Sequence, residues 1–280
     1  MIIVGVDGSV AARAAVEWAA GDAFRMGVPL RIVYAVDRSP YQIGKYASIG
    51  LPDLLLREGL TILREAEELV HERRPTVEVT IRHVEGRPAA VLREQAAGAT
   101  EVVVGSRGLG GFAGALVGSV GTHVAGHAHC PVVVVRGGNR PVHGEVVVGV
   151  DDTPECEPAL AYAFQQAELR GAALRTVHAW QLPVHVYAPE LVYDMDEIRT
   201  AQHQVVRVRL AAFAESHPHV KTIEDVPSAH PVDALTDASE RADLLVVGSH
   251  GRGALSAMLL GSVSRGVLHH ARCPVAVVRA

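Results

Sequence analysis

Two glycine-rich segments carry the residue spacing that best fits a chemical task. In each, two glycines stand three residues apart and a Gly-Ser pair follows after nine further residues: Gly105, Gly108 and Gly118-Ser119, then Gly248, Gly251 and Gly261-Ser262. Glycine lets backbone N–H groups approach an anion closely, and a helix that begins at such a pair directs its positive end at the same point. The spacing therefore predicts two phosphate cradles, in which Ser119 and Ser262 add hydroxyl donors as they cap the helices.

Other phosphate-binding motifs explain these glycines less well. A P-loop requires a Gly-Lys-Ser/Thr run, and neither segment contains one. The run GLGGFA at 108–113 resembles the dinucleotide fingerprint, but the second segment reads GRGALS at 251–256, and Gly118 is left without a role. A purely structural interpretation, in which the glycines permit a tight turn and close helix packing, stays open.

An acidic residue accompanies each glycine segment because the chain is an internal duplication. Residues 102–136 and 245–279 are identical at 19 of 35 positions without a gap. MIIVGVDGS at 1–9 likewise matches EVVVGVDDT at 145–153, which makes Asp7 and Asp151 equivalent. A period near 143 residues is far longer than a solenoid repeat and indicates two tandem domains, at 1–138 and 145–280.

The elements that would position these residues are strands alternating with helices. Apolar, β-branched runs predict five strands in the first copy: IIVGV (2–6), LRIVYAV (30–36), TVEVTIRHV (76–84), EVVVG (101–105) and PVVVVR (131–136). Apolar strands that alternate with helices are typical of a parallel sheet covered on both faces. Each copy is therefore predicted to be a doubly wound, Rossmann-like α/β domain with a five-stranded parallel sheet. Ligands of such sheets bind beyond the carboxyl ends of the strands, where both acids and both glycine segments lie.

Periodicity also predicts the buried face of one helix in the second copy. Ile198, Ala201, Val205, Val208 and Ala212 follow one another at spacings of three and four residues. Such spacing places side chains on one helical face, and we expect that face to pack on the sheet.

The strand, acid and glycine patterns resemble the universal stress protein family in its tandem two-domain form, over essentially the whole chain. The family's nucleotide signature, Gly-x-x-Gly, nine residues and Gly-Ser/Thr, is present in full twice, and IIVGVDGS and VVVGVDDT are similar to its opening strand and acid. The resemblance implies that Asp7 contacts the adenosine end of ATP, that the backbone near Val36 borders the base, and that the glycine loop wraps the triphosphate. The second copy would use Asp151, Ala179 and its own glycine loop likewise.

The resemblance extends the candidate site to the neighbours of these residues. The full set of candidate nucleotide-binding residues is Gly5, Asp7, Val36, Gly105, Ser106, Arg107, Gly108, Gly118, Ser119, Val120, Gly149, Asp151, Ala179, Gly248, Ser249, His250, Gly251, Gly261, Ser262, Val263 and Ser264. One departure is Gly121, where the family usually carries a hydroxyl residue and the second copy has Ser264. ATP is the implied cofactor, with Mg²⁺ as an accompanying ion left open. The implied function is a nucleotide-dependent regulator of a stress response that forms a homodimer.

Catalysis finds little support in the same residues, and no catalytic residue is predicted. Hydrolysis needs a positioned base or water-orienting group, and the resemblance assigns Asp7 and Asp151 to the nucleoside. Arg107 in the first loop is replaced by His250 in the second, so neither is a consistent catalytic group. Slow ATP hydrolysis stays an alternative because N–H donors alone polarise bound phosphates. A phosphoacceptor receiver module is a second alternative, although His83-Val84-Glu85 and Arg136-Gly137 stand where its acceptor Asp and its Lys are expected.

Composition argues against several other functions. A net charge of −5 and an aromatic content of 4% disfavour nucleic acid as a partner, since phosphate backbones and stacked bases need basic and aromatic surfaces. No apolar run approaches the roughly 20 residues that span a bilayer, so no membrane is expected as a partner. Three cysteines make no disulfide framework, which predicts a reducing, cytoplasmic compartment. The pair His123 and His127 is interpreted as surface or capping histidines, and no metal site is predicted.

Overall fold

The computed structural model describes residues 1–37, 51–109, 117–138, 141–182, 194–251 and 260–280, which fall into two compact units. Unit one comprises Met1–Pro141 with Arg279, and unit two comprises Val142–Val278 with Ala280. Each unit is an α/β domain built on parallel strands, which confirms the predicted fold class. The middle of each glycine segment, at 110–116 and 252–259, lies outside the described residues.

Unit one alternates strands and helices along its whole length. Its elements are β1 (Ile2–Val6), α1 (Val10–Met26), β2 (Leu30–Val36), α2 (Leu51–Arg73), β3 (Val79–Glu85), α3 (Pro88–Gln95), β4 (Glu101–Gly105), α4 (Ser119–His127) and β5 (Val132–Val135). The strands are parallel in the order β3-β2-β1-β4-β5. Strand order therefore reverses between β1 and β4, which brings the ends of these two strands side by side and creates the expected ligand crevice.

Unit two has the same order of elements and the same topology. Its elements are β6 (Glu145–Gly149), α5 (Glu157–Arg170), β7 (Ala173–Val177), α6 (Met195–Ala214), β8 (Thr222–Asp225), α7 (Pro231–Ala238), β9 (Leu244–Gly248), α8 (Ser262–His270) and β10 (Val275–Val278). Its strands are parallel in the order β10-β9-β6-β7-β8, so β6 and β9 meet as β1 and β4 do in unit one.

The central strands are buried on both faces, as continuous apolar runs predict. Ile2, Ile3 and Val4 of β1 have no exposed surface, and neither do the three valines at 146–148 of β6. The third strand begins later than predicted, at Val79 instead of residue 76. A turn precedes it, in which the Val77 N–H donates to the Arg74 carbonyl at 3.0 Å.

Helix α6 forms where periodicity predicts a helix, but the predicted buried face is wrong. The helix buries Val206 and Leu210, whereas Val208 is 58% exposed. Phe213 stacks on the fully buried Phe164 of α5 with ring centroids 5.5 Å apart, on the same side of the helix. Valines stand on both sides of α6, so its rotation depends on contacts with other elements and not on its own periodicity.

Candidate functional site

Asp7 lies directly after β1 and joins that strand end to the glycine loop after β4. Its Oδ1 atom accepts a hydrogen bond from the Ser9 N–H at 3.0 Å, and its Oδ2 atom accepts one from the Leu109 N–H at 3.1 Å. Ser9 caps α1 by accepting from the Ala12 N–H at 3.1 Å, and its hydroxyl donates to the Arg107 carbonyl at 3.2 Å. The acid, the start of α1 and the first part of the glycine loop are therefore one hydrogen-bonded group.

The first two glycines of this loop are required by close contacts within the protein. A Cβ atom at residue 105 would lie 2.7 Å from the backbone carbonyl carbon of Ala11, so β4 and α1 approach to a distance that only glycine permits. At residue 108 a Cβ atom would overlap the Oδ2 atom of Asp7. Gly105 and Gly108 thus have a packing reason that holds whether or not a ligand is bound.

Gly118 differs from these two glycines because the fold leaves room for a side chain there. It has a φ of −73° and a ψ of 160°, and a Cβ atom would lie 3.7 Å from the nearest atom, the Ser106 carbonyl oxygen. The Gly118 N–H donates to that carbonyl at 2.7 Å. Gly118 is the N-cap of α4, and no side chain caps this helix. The packing of the described residues therefore does not require glycine at position 118.

Ser119 and Ser262 are not helix caps, contrary to the sequence-based prediction. They are the first residues of α4 and α8, and the preceding Gly118 and Gly261 are the N-caps. Both serines are exposed, and the valines that follow them, at 120 and 263, are partly exposed. The serine hydroxyls therefore lie at the exposed ends of the two helices.

Unit two repeats the arrangement of acid and glycine around Asp151. The Oδ1 atom accepts from the Thr153 N–H at 2.9 Å and from the Thr153 hydroxyl at 2.6 Å. A Cβ atom at residue 251 would lie 2.6 Å from the Asp151 Oδ2 atom, so the carboxylate again lies against the second glycine of the loop. The Gly261 N–H donates to the Ser249 carbonyl at 2.8 Å, as Gly118 does in unit one.

Ser264 makes contacts with the loop backbone. It is buried, and its hydroxyl lies 3.0 Å from the Ser249 carbonyl oxygen and 3.1 Å from the Gly261 carbonyl oxygen. A carbonyl oxygen can only accept, so the Ser264 hydroxyl is the donor. In unit one the equivalent Gly121 is buried, and the neighbouring Thr122 hydroxyl donates to the carbonyl of the α4 N-cap at 3.1 Å. The two copies thus use different hydroxyls to hold the start of the helix.

Three further candidate glycines lie at strand ends in tight contacts. A Cβ atom at residue 5 would lie 2.8 Å from Leu92 of α3, and one at residue 149 would lie 3.1 Å from Leu235 of α7. At Gly248 it would lie 3.0 Å from the carbonyl oxygen of residue 250. These positions support close packing of helices and loops on the strand ends.

The side chains between the first two glycines of each loop differ in chemistry. Ser106 and Ser249 are buried at equivalent positions. Arg107 is exposed, whereas its counterpart His250 is partly buried, with its Nδ1 atom 3.1 Å from the Ser249 hydroxyl. A guanidinium group in unit one is therefore replaced by an imidazole ring in unit two.

The residues expected to border the base lie at the ends of β2 and β7. Val36 is buried and pairs with Glu85 across the sheet. The equivalent bridge in unit two joins Trp180 to Ser228. In strand register, the counterpart of Val36 is therefore Trp180, and Ala179 stands one residue before it.

Sequence reasoning missed Ser9 and Thr153, which hold the two acids in place. A signal for both was present, because a hydroxyl residue stands two positions after the acid in each copy. An Asp that accepts from a backbone N–H two residues later is the usual form of a turn closed by an acidic side chain.

The described parts of the chain contain neither a metal cluster nor a membrane span. Within them, no three His, Cys, Asp or Glu side chains are grouped so as to hold a metal ion. His123 and His127 instead stack on each other with ring centroids 3.9 Å apart. Burial, His127 and Arg93 together lower the pKa of His123. No helix in the same ranges is long and apolar enough to cross a bilayer.

Both halves of the chain match one protein family. Residues 1–136 and 144–279 each match the universal stress protein family. The chain belongs to this family. Universal stress protein Rv2623 of Mycobacterium tuberculosis is 37% identical over 289 residues, which cover 99% of this chain and 96% of that protein. Universal stress protein Rv2005c of the same organism is 36% identical over 291 residues, again covering 99% and 96%.

A solved structure supports the fold of this universal stress protein. The crystal structure of a universal stress protein from Archaeoglobus fulgidus matches with a TM-score of 0.73 at 20% identity, over 99% of this chain and 95% of that one. The match covers both tandem domains. The family matches confirm the resemblance that the motifs indicated, and this structure supports the α/β fold.

Proposed function

We propose that each domain of this universal stress protein binds ATP, and that nucleotide occupancy regulates its part in a stress response. The observation that carries the proposal is the helix start after each glycine loop. Gly118 and Gly261 adopt backbone conformations open to alanine, and against the described residues a Cβ atom on either would make only ordinary contacts, at 3.4 Å or more. A phosphate bound close to the helix end would explain why both positions are glycine, because it would accept hydrogen bonds from N–H groups that have no partner within the helix.

Asp7 and Asp151 lie at the nucleoside side of the proposed sites. Each carboxylate already accepts backbone or hydroxyl donors, which fix its orientation. A carboxylate has about four lone-pair sites, so further acceptor capacity is left for a ribose hydroxyl or a base amino group. A fixed acceptor of this kind favours a ligand that carries donors at one end and phosphates at the other.

The proposal covers binding and not a dedicated hydrolase. Arg107 and His250 are at equivalent positions in the two loops but differ in chemistry. The two sites therefore do not share a cationic side chain there that would stabilise the transition state of ATP hydrolysis. Mg²⁺ would be held chiefly by the phosphates and water, as is usual for this ion, since the described residues include no cluster of three possible metal ligands.

Titration calorimetry with ATP on Gly118→Ala, Gly261→Ala and the double variant tests the proposal. The wild-type protein is expected to bind two equivalents, each single variant one, and the double variant none. These substitutions are chosen because the fold leaves room for both methyl groups, so a loss of binding reports the ligand and not unfolding. Circular dichroism and urea denaturation check that the variants keep the fold.

Gly21→Ala is the matched control. Gly21 lies within α1, and a Cβ atom there would meet only the flexible end of Arg25 at 3.3 Å. It is about 16 Å along the helix from its start, at 1.5 Å per residue. This variant should bind two equivalents; full binding by the double variant would contradict the proposal. Native mass spectrometry of protein purified without added nucleotide measures bound ligand and tests the predicted homodimer together.

A further inference from the structure

The turn that carries Asp151 is held by three side chains through its own carbonyl groups. The carbonyls of residues 150, 151 and 152 accept in turn from His178 Nδ1 at 3.1 Å, Cys156 Sγ at 3.6 Å and Arg209 Nη2 at 2.8 Å. Since a backbone carbonyl can only accept, Nδ1 of His178 is the donor in the first of these bonds. The carbonyls of these three residues are thus each held by a side chain that lies outside them.

Two of these three contacts lead to helix α6. Arg209 belongs to α6, and its other terminal nitrogen donates to the Glu157 carboxylate of α5 at 2.8 Å. His178 is 3% exposed, and its Nε2 atom lies 2.9 Å from the side-chain amide of Gln202, also on α6. Helix α6 therefore holds the turn on both sides of Asp151, directly through Arg209 and indirectly through Gln202 and His178.

At three of the four positions equivalent to these side chains, unit one has alanine or glycine. An offset of 144 residues relates Tyr34 to His178 and Ala12 to Cys156, and an offset of 143 relates Gly59 to Gln202 and Ala66 to Arg209. Tyr34 lies against Gly59 in unit one, where a Cβ atom at residue 59 would be 2.6 Å from the Tyr34 ring. Their counterparts His178 and Gln202 are likewise in contact in unit two. The larger Tyr34 ring thus fills the space that Gln202 uses in unit two. Neither alanine nor glycine carries a side-chain donor.

The turn in unit one also differs in backbone conformation. Gly8 has a φ of 84°, whereas no non-glycine residue in the described ranges has a positive φ, so Asp152 at the equivalent position follows a different path. Asp7 is held mainly through its carboxylate, by Ser9 and by Leu109 of the glycine loop. The Asp151 carboxylate likewise accepts from Thr153 and lies against Gly251. The carbonyls of its turn are held in addition by His178, Cys156 and Arg209.

We propose that Gln202, His178 and Arg209 are positioning residues that hold the Asp151 turn ready for ligand, so that the second site binds adenine nucleotide more tightly than the first. The inference rests on the proposed function. A turn that is already ordered loses less conformational freedom on binding, which raises affinity without any new contact to the ligand. The universal stress protein then fills its two sites in sequence, unit two before unit one.

Arg209→Ala, which introduces the alanine that unit one carries, tests the role of α6. In a Gly118→Ala background, calorimetric titration with ATP should show about tenfold weaker binding, the loss expected for one hydrogen bond from a charged donor. Hydrogen exchange of the Thr153 amide, measured without ligand, should become faster at the same time. Arg209→Lys keeps a donor at this position and should restore part of the affinity and of the protection.

Two further variants separate positioning from a general structural effect. Glu157→Ala removes the ion-pair partner of Arg209 but leaves its bond to the Asp152 carbonyl, so affinity and Thr153 exchange should stay as in the parent. His178→Tyr with Gln202→Gly installs the pair that already packs in unit one, and it should weaken the second site about as much as Arg209→Ala.

The outcomes distinguish this inference from the proposed function. Equal ATP affinities at the two wild-type sites would overturn the inference, and so would unchanged Thr153 exchange in Arg209→Ala. Absence of any ATP binding to the wild-type protein would instead contradict the proposed function. In that case Thr153 exchange still decides whether α6 holds the turn.

Discussion

The carboxylate of Asp7 occupies the space beside Gly108 that a side chain at position 108 would need: its Oδ2 atom lies where a Cβ atom on residue 108 would have to be. The relationship recurs between Asp151 and Gly251, where the distance would be 2.6 Å. Each acid therefore contacts the glycine loop of its own unit. A change at either residue of the pair should move the other.

Gly108→Ala should destabilise unit one by displacing the Asp7 carboxylate from the Leu109 N–H. The free energy of unfolding is expected to fall by about 1 to 3 kcal/mol, the usual cost of forcing extra atoms into a packed site. Urea denaturation measures this loss. Gly118→Ala is the control, because its Cβ atom has room and its cost should stay below about 1 kcal/mol. Equal losses in the two variants would contradict the steric coupling of Asp7 and Gly108.

Asp7→Asn should release the glycine loop from β1. The amide retains one acceptor oxygen, which can serve Ser9 or Leu109 but not both at once in the present geometry. We expect faster hydrogen exchange of the Leu109 amide and a stability loss of about 1 kcal/mol. Asp237→Asn changes an exposed acid of α7 and should alter neither quantity. Unchanged Leu109 exchange in Asp7→Asn would show that the carboxylate does not hold the loop.

Cys130 should make stability fall at alkaline pH. Burial and the nearby Glu101 raise the pKa of this thiol from 9.0 to about 11. Because the folded state keeps the proton more tightly, this contribution is complete below pH 9 and is lost as the pH rises from about 9 to about 11. A shift of this size corresponds to about 2 to 3 kcal/mol.

The measurement for Cys130 is the difference between wild-type protein and Cys130→Ala. Other groups titrate in the same range, but they are common to both proteins and cancel in the comparison. The wild-type curve of unfolding free energy should fall more steeply than the variant curve between pH 9 and 11. Parallel curves would exclude the effect. The same burial predicts that iodoacetamide labels Cys130 at pH 8 only after unfolding.

Arg175→Met should destabilise unit two because it separates a cross-strand charge cluster. Arg175 of β7 contacts Glu145 of β6 at 2.7 Å and Asp225 of β8 at 3.3 Å. The hydrogen bond to Glu145 is the main reason that the pKa of Arg175 is raised. Removal of the cation should cost about 1 to 2 kcal/mol in urea denaturation.

Arg199→Met provides the comparison for this cluster. Arg199 and Asp196 are 3.6 Å apart and largely exposed, at 64% and 93%, so their pairing should contribute less than about 0.5 kcal/mol. If the two substitutions cost the same, burial of the Arg175 cluster has no stabilising effect.

The sequence by itself determined the architecture and the location of the candidate site. The duplication gave two equivalent copies, and the β-branched runs fixed which residues form the central strands. Because the carboxyl ends of parallel strands share one edge of a sheet, the positions of Asp7, Gly105, Asp151 and Gly248 followed directly. These inferences succeed because they depend on local patterns and on topology rules that the chain repeats twice.

Only the tertiary structure decided what each glycine and each helix face does. Gly105 and Gly108 are needed for contacts with residues about a hundred positions earlier in the chain, whereas the described neighbours of Gly118 leave room for a side chain, and spacing alone treats all three alike. Likewise, α6 turns Gln202 and Arg209 toward the Asp151 turn although its apolar periodicity favoured another face. Contacts between residues distant in sequence leave no periodic signal, so they become visible only when the elements are packed together.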